Sequence, residues 1–440
     1  MADLIQKAAD VLFMPWIVIL LMGSGLFLTL RFRFVQVTRF AEAARQMVAR
    51  KKTGEGALTP FQAFMTALAA SIGTGNIAGV ATAIISGGPG ALFWIWCYGF
   101  VAMAIKFAEA VLGSQYRIIG GPKDGASGPM YYLRDGFKSP TLAWIYAAVA
   151  GVAALTTTPF TQPNSIAVVV NSQFGVSTLI VGIVLAILTW AVIIGGIKSI
   201  GKAAEKLSPL KVGLYLIGGL IVIISNAARI PEVLSMVFSE AFSTKAAIGT
   251  AQGVGVMVAL RYGLARGIYA NEAGYGTAAV AYGTAASKQP VQQGLNAVME
   301  VFIVSFITST ISAMVLLLTG AWQSGTPSSA AVAVAFNQTM PVFGGWIVTF
   351  CVFLFGYTTL IGWAYYGEQF LEYLLGRSVT VPYRWIYCLL IPFGATARVD
   401  LVWAWGDLMN VLQVFPNMVG LIGLSGFVAT IARSRIANKP

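Results

Sequence analysis

The sequence predicts an all-α, polytopic membrane protein of about eleven transmembrane helices, and three observations carry that prediction. Of its 440 residues, 57% are hydrophobic and only 10% charged, at a mean hydropathy of +0.77, more apolar surface than a water-soluble globule can bury. Apolar runs of about 20 residues recur along the whole chain, long enough to cross a bilayer as helices and too long for the alternating ten-residue strands of a barrel. Cations collect in the loops of one side, so topology accounts for the net charge of +12 and no nucleic-acid partner is implied. The three cysteines, Cys97, Cys351 and Cys388, lack metal-ligand spacing, and histidine is absent, which leaves carboxylates for any proton chemistry.

The spans fall near residues 11–30, 61–86, 89–113, 141–163, 176–196, 209–226, 248–276, 295–320, 344–372, 383–404 and 410–432. With the N-terminus outside, 21 Lys and Arg lie in inside loops, among them Lys123, Lys439 and the cluster Lys198, Lys202, Lys206 and Lys211. Only Lys7, Arg229, Lys245 and Arg398 lie outside, which predicts an outside N-terminus, an inside C-terminus and an odd number of spans.

Residues 1–60 hold the first helix and a following basic segment. The leading MADLIQKAAD lacks the positive charge of a signal peptide, so the helix is expected to be retained. From Arg31 to Gly56, Arg and Lys alternate with Phe, Val and Met, which fits an interfacial amphipathic helix on the inner leaflet and equally a solvated basic loop.

The second span contains SIGTGNIAG, residues 71–79, where Gly73, Gly75 and Gly79 surround Thr74 and Asn76. A backbone unwound there would offer N–H and C=O groups that cost several kcal/mol each unless another helix, water, an ion or a ligand satisfies them. Gly75 and Gly79 also fit the Gly-xxx-Gly spacing that packs membrane helices. A second interruption, in the seventh span, reads RYGLARGIYANEAGYG and carries Arg261, Arg266, Asn271 and Glu272. Charges at that depth point to function, or to snorkelling at the inner interface.

Setting the first helix aside, each interrupted helix opens a set of five spans, in residues 61–226 and 248–432, with 433–440 a cytoplasmic tail. An odd number of spans per set forces the two sets into opposite orientation, the layout of an inverted-repeat secondary transporter with its substrate between broken helices. Thr358 and Thr359 in the ninth span are adjacent hydroxyls suited either to a hard cation or to bonds with their own preceding turn. In the fourth span, TTTPFTQPNS brings Pro159 and Pro163, which free backbone groups or mark a helix end, and the amide of Gln162.

Five segments in order, GTGNIAGVATAI, GPMYYLRDG, GGIKSIGKA, ARGIYANEAGYG and GWAYYGEQ, resemble the sodium/alanine symporter family of the amino acid-polyamine-organocation superfamily. The resemblance implies a leucine-transporter-like fold of two inverted five-helix repeats plus one extra N-terminal helix, and Na+-driven uptake of small neutral amino acids such as alanine and glycine across a bacterial or archaeal inner membrane. It implies that the substrate carboxylate meets backbone N–H groups at Thr74, Gly75 and Asn76. Gln162 would orient the polar end, while Trp363 and residues near Tyr262 and Ile268 would limit side-chain size. The Na+ ligands would be carbonyls of Ala69, Ile72 and Phe355 with hydroxyls of Thr358 and Thr359. A small neutral amino acid, Na+ and surrounding lipid are the partners expected of a unit working as a monomer. One departure stands out: where the family commonly carries an aspartate, this chain has VFIVSF, with Val304 and Ser305.

The rivals are proton coupling through Glu109 or Glu272, with Glu109 and Lys106 at i,i+3 spacing reading as a self-neutralising pair, and a glutamine-selective or other neutral amino acid carrier. A cation channel gated at the glycine segments is the reading from another class. Nothing in the sequence assembles a nucleophile, base and orienter, so no enzyme is predicted.

Overall fold

The computed structural model describes residues 11–119, 125–242, 255–326 and 328–437, and the side chains of all of these except 13, 14 and 434–437. Lys7, Lys123, Lys245, Lys439, the Arg435 side chain and the start of the seventh span lie outside that description. The regular elements among the described residues are helices. The first half holds α1 (Val18–Arg31), α2 (Phe40–Gln46), α3 (Pro60–Ser71), α4 (Ala78–Gly87), α5 (Ala91–Gln115), α6 (Pro140–Thr156), α7 (Thr158–Phe174), α8 (Thr178–Ile193), α9 (Gly196–Ser225) and α10 (Ile230–Ala241). The second half holds α11 (Val256–Asn271), α12 (Thr277–Gly283), α13 (Pro290–Phe302), α14 (Ser309–Thr319), α15 (Ser328–Thr339), α16 (Phe343–Leu375), α17 (Thr380–Thr396), α18 (Val399–Gly423) and α19 (Ser425–Ala437). By length and composition, five uninterrupted helical stretches can cross a membrane, and two pairs bent at a break also qualify.

The first break begins with a well-capped helix. Thr59 Oγ1 accepts from the Gln62 N–H and Gln62 Oε1 from the Thr59 N–H, with Pro60 at the first helical position. The helix stops at Ile72, where ψ turns to 76°, a single 3₁₀ turn covers Thr74–Asn76, and α4 leaves at 61° to α3. The second break separates α11 from α12 across Glu272, Gly274 and Gly276, all three at positive φ. Glycine meets that demand without a Cβ penalty; Glu272 does so only because its side chain is held from both ends, as shown below.

Around these breaks the helices pack backbone to backbone. A Cβ on Gly113 would come within 2.3 Å of the Ala279 carbonyl, and one on Gly263 within 2.5 Å of that of Ala91, so α12 and α11 both lie against α5. The basic segment after α1 is neither a free loop nor one long helix. It forms one turn at Val35–Thr38 and then α2, whose Phe40 meets Phe302 of α13 at 4.9 Å between ring centres.

Two of the boundaries that differ from expectation bear on the site. The fourth span does not end at Pro163: the chain bends at Thr157 and continues as α7 to Phe174. Pro159 falls in the first turn of the new helix, where its missing N–H costs nothing. The sixth span begins thirteen residues before the expected 209, because α9 runs unbroken through Pro209 from Gly196. Lys211, counted with the inside cations although it falls within the expected span, lies in the middle of this helix, fully buried.

Candidate substrate and cation site

At the first break Gln162, on the second turn of α7, turns its Oε1 toward Thr74 and accepts from both the Thr74 N–H and Oγ1 at 3.0 Å. The Asn76 N–H is bound to the Gly73 carbonyl at 3.1 Å. Of the N–H groups expected to receive a carboxylate, one is therefore held by a side-chain carbonyl oxygen of similar chemistry and another closes its own turn. The Asn76 side chain spans the break: Nδ2 donates to the Ser71 carbonyl at the end of α3 at 3.0 Å, and Oδ1 accepts from Thr308 at 3.2 Å and from Ser309 at 3.4 Å.

A small cavity lies against this turn and is lined by Gly73, Gly75, Gln162, Thr359 and Trp363 among others. Its remaining wall comes from residues the sequence did not single out for this role: Thr157 and Thr158 at the α6–α7 bend, Tyr269 and Tyr275, Asn410 and the carboxylate of Glu272. Glu272 is 5% exposed, accepts from Trp363 Nε1 at 2.5 Å and from Thr277 Oγ1 at 2.8 Å, and so lies deep in the protein and not at the inner interface. The Tyr269 hydroxyl donates to Thr161 Oγ1 at 2.8 Å and accepts from Gln162 Nε2 at 3.4 Å.

Tyr262 and Ile268 do not line this cavity. Tyr262 packs at the end of α4, where a Cβ on Gly87 would approach it to 2.9 Å, and Ile268 borders a separate small cavity with Ile17 and Val414. With 3.6 residues per turn, one step along α11 rotates a side chain by about 100°, and it is Tyr269 that faces the cavity.

The five oxygen-bearing positions proposed from the resemblance meet beside the same break. Thr359 Oγ1 donates to the carbonyls of Ala69 at 3.2 Å and Ala70 at 2.8 Å, and Thr358 Oγ1 to that of Phe355 at 3.1 Å. Into their midst reaches the Lys211 ammonium, donating to the Ala69 carbonyl at 3.1 Å, the Ile72 carbonyl at 2.6 Å and Thr358 Oγ1 at 2.6 Å. Its three protons are all used, and three of the five oxygens hold a cation that belongs to the chain. Lys211 is thus no inside-loop charge.

The second break is held by buried polar groups from four other helices. Glu109 Oε1 accepts from the Gly274 N–H at 2.9 Å, the Gly276 N–H at 3.1 Å and Asn417 Nδ2 at 2.8 Å. Tyr98 and Tyr146 donate to the Ala273 and Tyr275 carbonyls at 2.7 and 2.6 Å. Lys106 pairs not with Glu109 but with Glu300, at 2.5 Å, and also donates to the Asn271 carbonyl at 2.7 Å. An i,i+3 pair would have left the unwound peptide groups unsatisfied; these cross-helix partners cover them. Ser305 exchanges hydrogen bonds with Asn271 at 2.7 and 2.9 Å.

In the π-helical turn Tyr132–Gly136 before α6, Arg134 donates to both oxygens of Asp135, at 2.7 and 2.8 Å, and those hydrogen bonds hold the Asp135 carboxyl below its ordinary range. Among the described residues no cluster of His, Cys, Asp and Glu is arranged to hold a metal ion.

A family model described as the sodium:alanine symporter family matches residues 1–438. The sodium/alanine symporter AgcS of Methanococcus maripaludis is 41% identical over 94% of this chain and 93% of its own length. The probable sodium/glutamine symporter GlnT of Bacillus subtilis is 32% identical over 98% of this chain and 90% of its own. Among solved structures, a manganese transporter of Eremococcus coleocola superposes with a TM-score of 0.55 over 86% of this chain and 87% of its own, at 14% identity. A Na+-coupled sialic acid symporter gives 0.53 over 94% and 84%, at 12% identity. The fold is the leucine-transporter-like class expected of the sequence, in a multi-pass membrane protein that is a Na+-coupled secondary transporter and not an enzyme. This chain belongs to the sodium:alanine symporter family.

Proposed function

We propose that the protein imports a small neutral amino acid, alanine first and glycine with it, by alternating access across the inner membrane of a bacterial or archaeal cell. The N-terminus is read as outside and the C-terminus as cytoplasmic, with residues 61–226 and 248–432 as the inverted repeats, working as a monomer. The observation that supports this reading is the cavity lined both by Gln162, whose Oε1 holds the buried Thr74 N–H behind it, and by the Glu272 carboxylate.

A zwitterion fits that polarity. Its carboxylate takes over the Thr74 N–H from Gln162 Oε1, near the electropositive start of a half-helix, and its ammonium faces Glu272. The Trp363 indole, pinned by its bond to Glu272, closes the space left for a side chain. Gly73 and Gly75 permit the approach, since a Cβ on either would stand 2.6 Å from Thr359 Oγ1 or 2.7 Å from the Tyr269 ring.

The oxygen cage of Ala69, Ile72, Phe355, Thr358 and Thr359 is the proposed Na+ site, and the Lys211 ammonium keeps it filled in the state seen here. Two unit charges about 4 Å apart repel by about 4 kcal/mol at an effective dielectric of about 20, so Na+ enters as the ammonium withdraws. Because Ala69 and Ile72 end α3 beside the substrate turn, the occupant of the cage sets the geometry of that turn, which couples ion to substrate reciprocally. The membrane potential adds about 2.3 kcal/mol per charge per 100 mV to inward movement.

A competition panel against labelled alanine in proteoliposomes tests the assignment. Unlabelled alanine and glycine should compete while arginine and tryptophan should not; equal competition by the large or charged residues would contradict the assignment.

A further inference from the structure

The segment between α1 and α3 forms, with the end of α19, an open groove of about 770 Å³ that plays no part in the transport site. Its rim carries Arg31, Arg33, Arg39, Arg45 and Arg433, with Glu42 the one acidic residue among them. Glu42 pairs with Arg39 at 2.8 Å. Arg31, Arg33, Arg45 and Arg433 are exposed, and among the described residues none has a carboxylate partner. Four guanidinium groups drawn together without counter-charge repel one another, a cost that an anion between them removes.

The floor of the groove is apolar, built by Phe32, Val35 and Ala429. Beside it the chain turns through two consecutive left-handed residues, Arg33 at φ 54° and Phe34 at φ 55°, and leaves Phe34 and Val37 exposed at 42% and 58%. Cationic rim, apolar floor and outward hydrophobic side chains occur together on the side to which the loop charges assign the inner leaflet. A soluble anion would use the rim alone. An amphiphile with a phosphodiester head and acyl chains uses all three, and guanidinium forks match phosphate oxygens two at a time.

We propose that this groove is a binding site for the head group of an anionic phospholipid, which seats the basic segment and α19 against the membrane. The inference rests on the membrane placement of the chain and is independent of the cavity between the breaks.

The full chain in detergent would be titrated with short-chain phosphatidylglycerol, short-chain phosphatidylcholine and inorganic phosphate, with bound species counted by native mass spectrometry. Phosphatidylglycerol should bind at least tenfold more tightly than phosphatidylcholine, and phosphate should not displace it at equal concentration. The variant R33Q/R45Q/R433Q should lose that preference, while K198Q/K202Q/K206Q, which removes the same charge elsewhere on the same side, should keep it. Equal binding of the two lipids by the unmodified chain would overturn the proposal whatever the variants do. So would equal loss in both triple variants, which marks general surface charge, or full displacement by phosphate, which marks a free-anion site.

Discussion

The Lys211 ammonium lies 2.6 Å from the Thr358 hydroxyl, joining the middle of α9 to the middle of α16 through a group the chain carries itself. With the Ala69 and Ile72 carbonyls as its other acceptors, this contact fills the oxygen cage proposed for Na+ with a group the chain carries itself. Lys211 is thus the proposed competitor of the ion.

Replacing Lys211 with Met should expose that competition. The variant leaves buried oxygens unpaired, at about 1–3 kcal/mol for each group, so its melting temperature in choline buffer should fall. Na+ binds the vacated cage and stabilises the fold by mass action, so NaCl should raise the melting temperature of Lys211→Met several degrees more than that of the unmodified protein. Equal Na+ effects on the two would show that ammonium and Na+ do not share the site.

Substrate recognition is testable at the two ends of the cavity. Gln162→Glu places a negative charge where the substrate carboxylate is to bind, and alanine uptake should drop at least a hundredfold with the protein still folded. Glu272→Gln removes the partner of the substrate ammonium; a charge-assisted hydrogen bond is worth about 1.5–3 kcal/mol, so KM for alanine should rise roughly 10- to 150-fold. An unchanged KM in Glu272→Gln would move the ammonium elsewhere.

Trp363→Ala opens the wall that limits side-chain size and releases Glu272 from its 2.5 Å bond. Leucine and methionine should then compete with labelled alanine where before they did not. A competition profile identical to that of the unmodified protein would remove Trp363 from the cavity wall.

Glu109 offers a test between structure and proton coupling. Its Oε1 accepts three hydrogen bonds, two of them from the unwound peptides of the second break. Glu109→Gln retains an acceptor oxygen and should transport at near-normal rate, whereas Glu109→Leu strands those N–H groups and should lose folded protein. Abolished transport by a folded Glu109→Gln would instead favour a titrating role.

Much of this arrangement could be read before the structure. The helical class followed from hydropathy, and the breaks at Thr74 and Glu272 from glycines and polar residues set in apolar runs. The closeness of Ala69 and Ile72 to Thr358 came from the family resemblance. Lys211 was misplaced because it was grouped with Lys198, Lys202 and Lys206 just before it, although it falls inside the apolar stretch that begins at 209. The buried face of α9, Ile200, Ala204, Ser208, Lys211, Tyr215 and Gly218, repeats every three or four residues, a helical signal already present in the chain. Tyr269 and Ile268 show a finer limit: adjacent residues on one helix differ by about 100° in direction, and spacing alone gives no cue to which of the two faces the cavity. Lys106 was assigned to Glu109 because spacing reveals neighbours along a helix but not Glu300, which is 194 positions away in sequence and 2.5 Å away in space.

The most direct measurement is labelled alanine uptake into proteoliposomes as a function of inward Na+, in the unmodified protein and in T358V/T359V. Uptake should exceed that in equimolar choline at least tenfold, and the double variant, still folded, should need at least tenfold more Na+ for half-maximal rate. Uptake that is equal in choline, or a Na+ dependence that the double variant leaves unchanged, would contradict a coupling cation seated between the first broken helix and α16.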